Sequence, residues 1–358
     1  MIFNKSLVAN SIPAQRQLRE RDAIRSCFNI NEGRFASEYR AHGLKANAGR
    51  IPDEMFREFD NVTVERMKLD EGDAFLNDLM PLSRALPIGK LTFENRRASD
   101  AGNVQTSMNG QIGVKFDNVD FSIDGTIIPV HDNGFSRGWR EFSAGASEGF
   151  DVLVDDQREN VAAHRNHLAD TFMDGHKDKN GQIIVVDTRK WSGMRADARV
   201  AQIDLGVGGV NFDFTDQTKT GAQIKDAFIQ IRDTVRITNK CTVDLMYYIS
   251  EEMASNFERK FSSQYDAKTI EAELITLRGV GGIKSSSKVG PGGAITGNEM
   301  MGFPLNGLVR PLTGMGVSTI AQPRQIYNAN YDFVVASAIG WEVRTDFFSN
   351  TCAFLAKD

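Results

Sequence analysis

Gly134-Phe-Ser136-Arg-Gly138 spells G-x-S-x-G, the elbow on which a hydrolase exposes a nucleophilic serine between a strand and a helix. That geometry needs a strand running straight into the first glycine and a helix directly after the second. Here Pro129 and the polar His131-Asp-Asn133 precede it, Gly145 and Gly149 soon interrupt the downstream segment, and no HGGG-type oxyanion segment lies upstream. A tight turn is therefore expected at Ser136, with a serine hydrolase as the reading from a different class. His164, His167 and Asp170 stand at i, i+3 and i+6. Two imidazoles and a carboxylate at near-helical spacing can share a metal, but steps of three drift around the helix, so solvated or inter-subunit polar residues are expected. His131-Asp132 is a candidate acid–base pair without a third member.

Two glycine clusters invite a phosphate-loop reading. Gly206-Val-Gly208-Gly209 has Asn211 where G-x-G-x-x-G needs its third glycine, and Gly279-Val-Gly-Gly-Ile-Lys284 has Ile283 where a P-loop needs glycine. Both are expected to be flexible surface loops. Arg96-Arg97 and the group from Arg16 to Arg25 suit phosphates or acidic partner surfaces as well as they suit solvent. No catalytic, cofactor-binding or metal-ligating set is assigned.

The elements around these residues are more informative. Residues 1–60 read as an arm with too few apolar side chains to fold alone, including a sparse helix from Ile12 to Phe28. Over 88–130 apolar and polar residues alternate, as in Ile112, Val114 and Phe116 and then Val119, Phe121 and Ile123, which marks strands with one wet face. Asn109-Gly110 and Asp124-Gly125 are turn dipeptides. This hairpin has too few large apolar residues to enter a core and is expected to project. Val154, Val161, Leu168 and Phe172 give a helix over 151–173, on the order of 35 Å long, and Gln182–Asp187 reads as a buried strand. Thr220 is positioned to cap a helix that turns Ile224, Phe228, Ile231 and Val235 inward. Asp244–Phe261 reads as a second helix through Leu245, Ile249, Met253, Phe257 and Phe261, followed by a Gly/Ser-rich loop from Gly279 to Gly297. The tail alternates again through Tyr331, Phe333 and Val335, then Trp341 and Val343, then Phe354.

Composition narrows the class. With 358 residues, 41% hydrophobic and 25% charged, the chain falls in the globular range with room for about two domains. A net charge of −5 argues against a dedicated nucleic-acid binder. No apolar stretch approaches a membrane span, and the start lacks a secretory pattern. Cys27, Cys241 and Cys352 show no C-x-x-C pairing, so free thiols in a reducing cytosol are expected. Phe outnumbers Tyr and Trp together, 23 against 9, and only five histidines are present, a balance that leans towards packing over chemistry.

The order of arm, long hairpin, spine helix, helical lobe and returning strands resembles the major capsid proteins of tailed phages, whose HK-ninety-seven-type fold is shared with encapsulin shells. The segment Ile127-Ile-Pro-Val-His-Asp-Asn-Gly-Phe-Ser-Arg-Gly-Trp139 is similar to the stretch by which such chains leave the E-loop, and Tyr331-Asp-Phe-Val-Val and Gly340-Trp-Glu-Val are similar to their closing strands. The resemblance implies an α+β capsid fold with an N-terminal arm at 1–60, a linking peripheral segment at 61–87 and the E-loop hairpin at 88–135. A peripheral domain with the spine helix comes next at 136–192, then an axial domain at 193–325 and peripheral return strands at 326–358. It further implies a non-enzymatic shell protein forming pentamers and hexamers of an icosahedral virion capsid around double-stranded phage DNA, assembled in the host cytoplasm. A separate scaffolding protein, a portal and a decoration protein are the implied partners, with non-specific DNA contact, no membrane and no cofactor. An encapsulin-like nanocompartment is the alternative of the same fold. Lys90 and Lys115 lie near the hairpin, but nothing in the sequence marks an asparagine partner for covalent cross-linking.

Overall fold

The computed structural model describes Arg19, Asp22, Ala23 and Ser26, and then residues 74–358 apart from 103, 110–112, 114–115, 149–151, 263–267, 293, 325 and 327. The chain divides into two compact units, 1–65 and 66–358, and every element named below belongs to the second. In chain order these are α1 (Ala74–Leu79), β1 (Arg84–Ala85), β2 (Thr92–Ala98), β3 (Phe121–Ile127), β4 (Val130–Arg137), α2 (Trp139–Glu148) and α3 (Val152–Asp174). Then come β5 (Val185–Val186), β6 (Arg189–Lys190), β7 (Ala201–Asp204), α4 (Gly221–Asp233), β8 (Leu245–Ile249), α5 (Glu251–Phe257) and α6 (Ile270–Ile275). The strands β9 (Val280–Ser285), β10 (Glu299–Phe303), β11 (Val309–Ala321), β12 (Tyr331–Val343) and β13 (Phe354–Lys357) complete the chain.

Two larger sheets organise the fold. One has the order β1-β11-β12-β4 and the other β7-β13-β10-β8-β9. The spine helix α3 packs on the first through Leu168, Ala169, Phe172 and Met173, which meet Trp341, Ile339 and Trp191 in one core with Phe75 of α1. Phe172 is the hub, with ring centroids 5.0 Å from Phe75, 5.0 Å from Trp341 and 5.8 Å from Phe303. Both indoles are wholly buried and both spend their N–H on Thr171 of α3. Trp191 donates to its carbonyl at 3.0 Å and Trp341 to its hydroxyl at 3.2 Å.

The second sheet is a wall between two cores. Because strand side chains alternate, Leu245, Tyr247 and Ile249 of β8 face a core built with α4, α5 and α6, while Tyr248 faces the spine-helix core. Met300 and Met301 of β10 divide in the same way, as do Phe354 and Leu355 of β13. A strand buried on both faces carries no alternation, and this is why residues 244–261 read as one helix. The structure breaks that segment at Ser250, whose hydroxyl accepts from the Met253 N–H and caps α5.

Other expectations are also corrected. The loop expected over 279–297 begins as β9, an edge strand parallel to β8, because Gly281 and Gly282 pass close to Leu245 and Met246. Asp124-Gly125 is not a turn but lies inside β3. There a Cβ on Gly125 would stand 2.6 Å from the Phe93 carbonyl, so the close approach of β2 excludes a side chain. Gln182–Asp187 is not a buried strand: Val185–Val186 pairs with β6, Ile183 makes an isolated bridge to Lys177, and Val185 is exposed. Cys241 and Cys352 are joined as a disulfide across 111 residues of sequence. Nothing in their spacing signals this, because the bond depends on β13 returning beside the end of the helical lobe. Cys27, most of Ile12–Phe28 and most of Arg16–Arg25 lie outside the described residues, as do Lys115, Ile112 and Val114.

Several expectations match the structure. Residues 152–174 form the long spine helix, and Thr220 caps α4 in a capping box with Gln223, turning Ile224, Phe228 and Ile231 inward. β11 and β12 pair with one another in a single long ladder. The last strand, β13, joins the other sheet beside β7 and β10.

Candidate assembly surface

The hairpin of β2 and β3 is an antiparallel ladder running from Thr92↔Ile127 to Ala98↔Phe121. It continues past the ladder, where Ser99 N–H donates to the Asp120 carbonyl at 2.8 Å and Gly102 N–H donates to Asp117 Oδ2 at 3.2 Å. Its foot is fixed. Ile127 and Ile128 are buried, and a Cβ on Gly340 of β12 would stand 2.2 Å from the Ile127 carbonyl, so β12 passes directly beneath. Arg199 donates to the Gly125 carbonyl at 3.0 Å, and Arg189 Nη2 stands 3.2 Å from Glu94.

The two faces of the ladder differ. Phe93, Asn95, Arg97, Ser122 and Asp124 are half-buried, and Arg97 pairs with Asp124. The opposite face exposes Glu94, Arg96 and Ala98 beside Phe121 (68% exposed) and Ile123 (54%). Beyond the ladder Met108, Val104 and Phe116 (95%) are fully presented to solvent. Between the hairpin foot and the body lies a cleft of about 600 Å³, lined in part by Arg84, Phe93, Arg96, Lys240, Arg344 and Cys352. Among the described residues these large apolar side chains on one element have no core to enter. Such a surface is suited to another molecule.

The residues weighed for chemistry are placed otherwise. Ser136 lies inside β4, opposite Asp332 of β12, and not on the tight turn expected there; α2 starts at Trp139, directly after Gly138, and runs through Gly145. Its hydroxyl donates to Asp332 Oδ1 at 2.5 Å and accepts from Asn330 Nδ2 at 3.4 Å. His131 stands on the same strand five residues away, so the structure does not bring serine, histidine and acid together as a nucleophilic triad. The ring of His164 is held by Asn133 at 3.1 Å and Ser337 at 2.8 Å, while Asp170 pairs with Lys288 at 2.7 Å. No group of three metal-binding side chains is found among the described residues. At the first glycine cluster the Asp204 carboxylate accepts from the Gly206 N–H at 2.7 Å, which puts a negative charge where a phosphate would need donors. Lys284 of the second cluster lies on β9 and is paired with Asp78 at 2.6 Å. Neither cluster cradles an anion.

Charge pairs concentrate where elements join. Arg195 lies between Glu299 (2.8 Å), Asp174 (2.8 Å) and the Lys288 carbonyl (2.9 Å), tying α3 to β10. Burial alone would lower the pKa of this guanidinium, but the hydrogen bonds and charge of Glu299 and then Asp174 outweigh it and raise the pKa. Arg310 and Arg344 flank buried Glu342 at 2.7 and 2.8 Å, and Arg199 pairs with buried Asp197 at 2.7 Å. Among the described residues no helix is long and apolar enough to cross a membrane.

Residues 45–356 match the sequence family described as a family of unknown function, DUF6260. The chain belongs to that family. A search of curated proteins with this DUF6260 chain finds no match. Among solved structures it is similar to the capsid of Myoviridae phage XM1, with a TM-score of 0.64 at 10% identity, covering 86% of this chain and 98% of that one. It is similar also to the mature capsid of bacteriophage PhiM1 (TM-score 0.54, 14% identity, 84% and 91% covered). The capsid of cyanophage P-SCSP1u is a third (0.54, 12%, 87% and 96%). At these identities the likeness is one of fold, and the DUF6260 chain has the α+β capsid fold of the HK-ninety-seven type.

Proposed function

We propose that this chain is a major capsid protein, a non-enzymatic subunit that assembles through copies of itself into a closed shell around phage DNA. The observation that carries the reading is the hairpin of β2 and β3, anchored at its foot and presenting Phe121, Ile123, Phe116, Met108 and Val104 to solvent. In the proposed assembly these side chains lie on a neighbouring subunit. Each contact then contributes modestly, at about 25 cal/mol per Å² of apolar surface removed from water, and closure of the shell multiplies it. The capsid folds of the similar structures support the same reading.

In this reading the peripheral body is the sheet of β4, β11 and β12 with α3, and the axial lobe is the five-stranded sheet with α4, α5 and α6. This moves β4 out of the hairpin segment expected at 88–135, β11 out of the axial segment expected at 193–325 and β13 out of the return expected at 326–358. Residues 1–60 form an arm, 61–87 a linking peripheral segment, and the E-loop hairpin is centred on 88–135. The subunits form pentamers and hexamers in an icosahedral lattice that matures from a procapsid. A separate scaffolding protein, a portal and a decoration protein act with them in the host cytoplasm, and the packaged DNA touches the shell without sequence specificity.

Negative-stain microscopy of the chain after size-exclusion chromatography, alone and with the products of its neighbouring genes, tests this. Shells or ring-shaped capsomers are expected. A compact monomer or dimer under every condition overturns the proposal. Particles that hold protein cargo in place of DNA move it to a nanocompartment of the same fold.

A further inference from the structure

Four of the chain's five histidines meet at one junction, although they come from three separate parts of the chain. The His131 ring of β4 lies 6.5 Å from His164 and 5.1 Å from His167, both on α3, and 5.3 Å from His176 just beyond the end of α3. The cluster is graded from outside to inside: His167 is exposed, His131 half-buried and His164 buried, while His176 is 1% exposed. Neither ring nitrogen of His176 has a hydrogen-bond partner, and neither has Nε2 of His131. Imidazoles placed so closely, with buried nitrogens unsatisfied, hold together as neutral rings and repel one another once charged. Since no three donors among the described residues are placed to share a metal ion, the ligand to which the cluster can respond is the proton.

We propose that the cluster of His131, His164, His167 and His176 is a proton-operated joint that locks the spine helix α3 to strand β4 when its rings are neutral and releases it when they are charged. The groups facing the cluster leave little to compensate the charge. Among the described residues Asp132 on β4 is the one carboxylate that acts on His131 and His164 in the favourable sense, and β12 offers the Ser337 hydroxyl to His164 and a backbone hydrogen-bond partner at Ile339 to His131. The other acids nearby on α3 are spent: Asp170 on Lys288 and Asp174 on Arg195. At the far end of α3, Asp156 is held by Arg137 of β4 at 2.5 Å, and Glu342 of β12 sits between Arg310 and Arg344.

The electrostatics agree with the geometry. Burial first, and then the charges of His167 and His164, push His131 down to about 4. Burial and the neighbouring imidazoles lower His164, and lower His176 well below the ordinary histidine value. A histidine whose pKa is depressed in the folded state binds fewer protons there than in the open state. Its contribution is therefore complete above the ordinary value near 6.5 and is lost as pH falls from there towards the folded value. With three rings depressed, opening takes up as many as about three protons, and the opening equilibrium shifts by up to about a thousandfold per pH unit within that window. The inference concerns one chain and stands whether or not the chain builds a shell.

Hydrogen–deuterium exchange at the imidazole C2 position, read by mass spectrometry on the full chain between pH 3 and 9, measures each ring separately. A midpoint near 4 for His131 and one well below 6.5 for His176 are expected. Ordinary midpoints near 6.5 for both overturn the proposal. Backbone exchange on the same protein at pH 7 and pH 5, corrected for the intrinsic rate, reads the joint itself. Protection of 152–174 and 130–137 is expected to fall at least tenfold while the five-stranded sheet keeps its protection, and a uniform loss or no loss refutes the joint. In a His131→Gln variant, removal of one titrating ring lowers the pH dependence of opening by about tenfold per pH unit. An unchanged dependence removes His131 from the device, and if that variant does not fold, the wild-type exchange still decides.

Discussion

Reduction of the bond between Cys241 and Cys352 opens a loop that holds β8, β9, β10, β11 and β12 together with α5 and α6. With a sequence separation of 111 between the bonded positions, the loop-closure relation gives an entropy cost of about 16 cal/mol/K for the unfolded chain, or about 4.8 kcal/mol at room temperature. Domains of ordinary stability have only about 5–15 kcal/mol in all. At a urea m-value of about 3 kcal/mol/M, the upper end for small proteins, the denaturation midpoint is expected to fall by about 1.6 M on reduction. Cys352 borders the cleft beneath the hairpin and is half-buried, so a reductant reaches it more readily than Cys241 in the helical core. The assay is urea unfolding of the unassembled chain, oxidised and reduced, with Cys352→Ser as a second route to the open form. Reductant is expected to leave the Cys352→Ser midpoint where it was. Two results refute the reasoning: free thiols at both positions in the oxidised folded protein, or a confirmed bond whose reduction leaves the midpoint within about 0.3 M.

Two more outcomes are expected from single sites. Phe121→Asp together with Ile123→Asp on the exposed face of the hairpin should abolish assembly in sedimentation velocity, while changing the stability of the isolated chain by no more than about 0.5 kcal/mol per site; particles of normal size formed by this variant would remove the hairpin face from the contact. Glu299→Gln leaves Arg195 with Asp174 alone among its two carboxylates and should lower stability by about 3 kcal/mol, read from the urea midpoint, and a loss below about 1 kcal/mol would mean that solvent already screens the pair.

Local rules carried part of this fold. A capping threonine, an apolar stripe and polar remainder placed α4, and the seven-residue recurrence of Val154, Val161 and Leu168 placed α3, although only the C-terminal part of that stripe enters the core: Leu168 and Phe172 are buried while Val154 is exposed. The hairpin was legible as an element too poor in apolar residues to be buried, but the face it leaves wet is the apolar one: Phe121 and Ile123 are exposed while Ser122 and Asp124 are half-buried. From these elements the capsid fold could be reached by resemblance.

What the sequence could not display was any feature made by two distant segments. Leu245-Met-Tyr-Tyr-Ile249 is apolar on both faces because it stands between two cores, and a run without period is compatible with helix or strand until its neighbours are known. Gly125 reads as a turn residue, and only the approach of Phe93 shows that it is needed in mid-strand. The Cys241–Cys352 bond and the meeting of His131, His164, His167 and His176 have the same origin: residues far apart in the chain are brought together by β13 and β4 taking their places beside the lobe and the spine helix. Periodicity and capping are properties of neighbouring residues and are written in the sequence, whereas the pairing of strands and the burial of charges and thiols are decided by which surfaces the folded chain brings into contact.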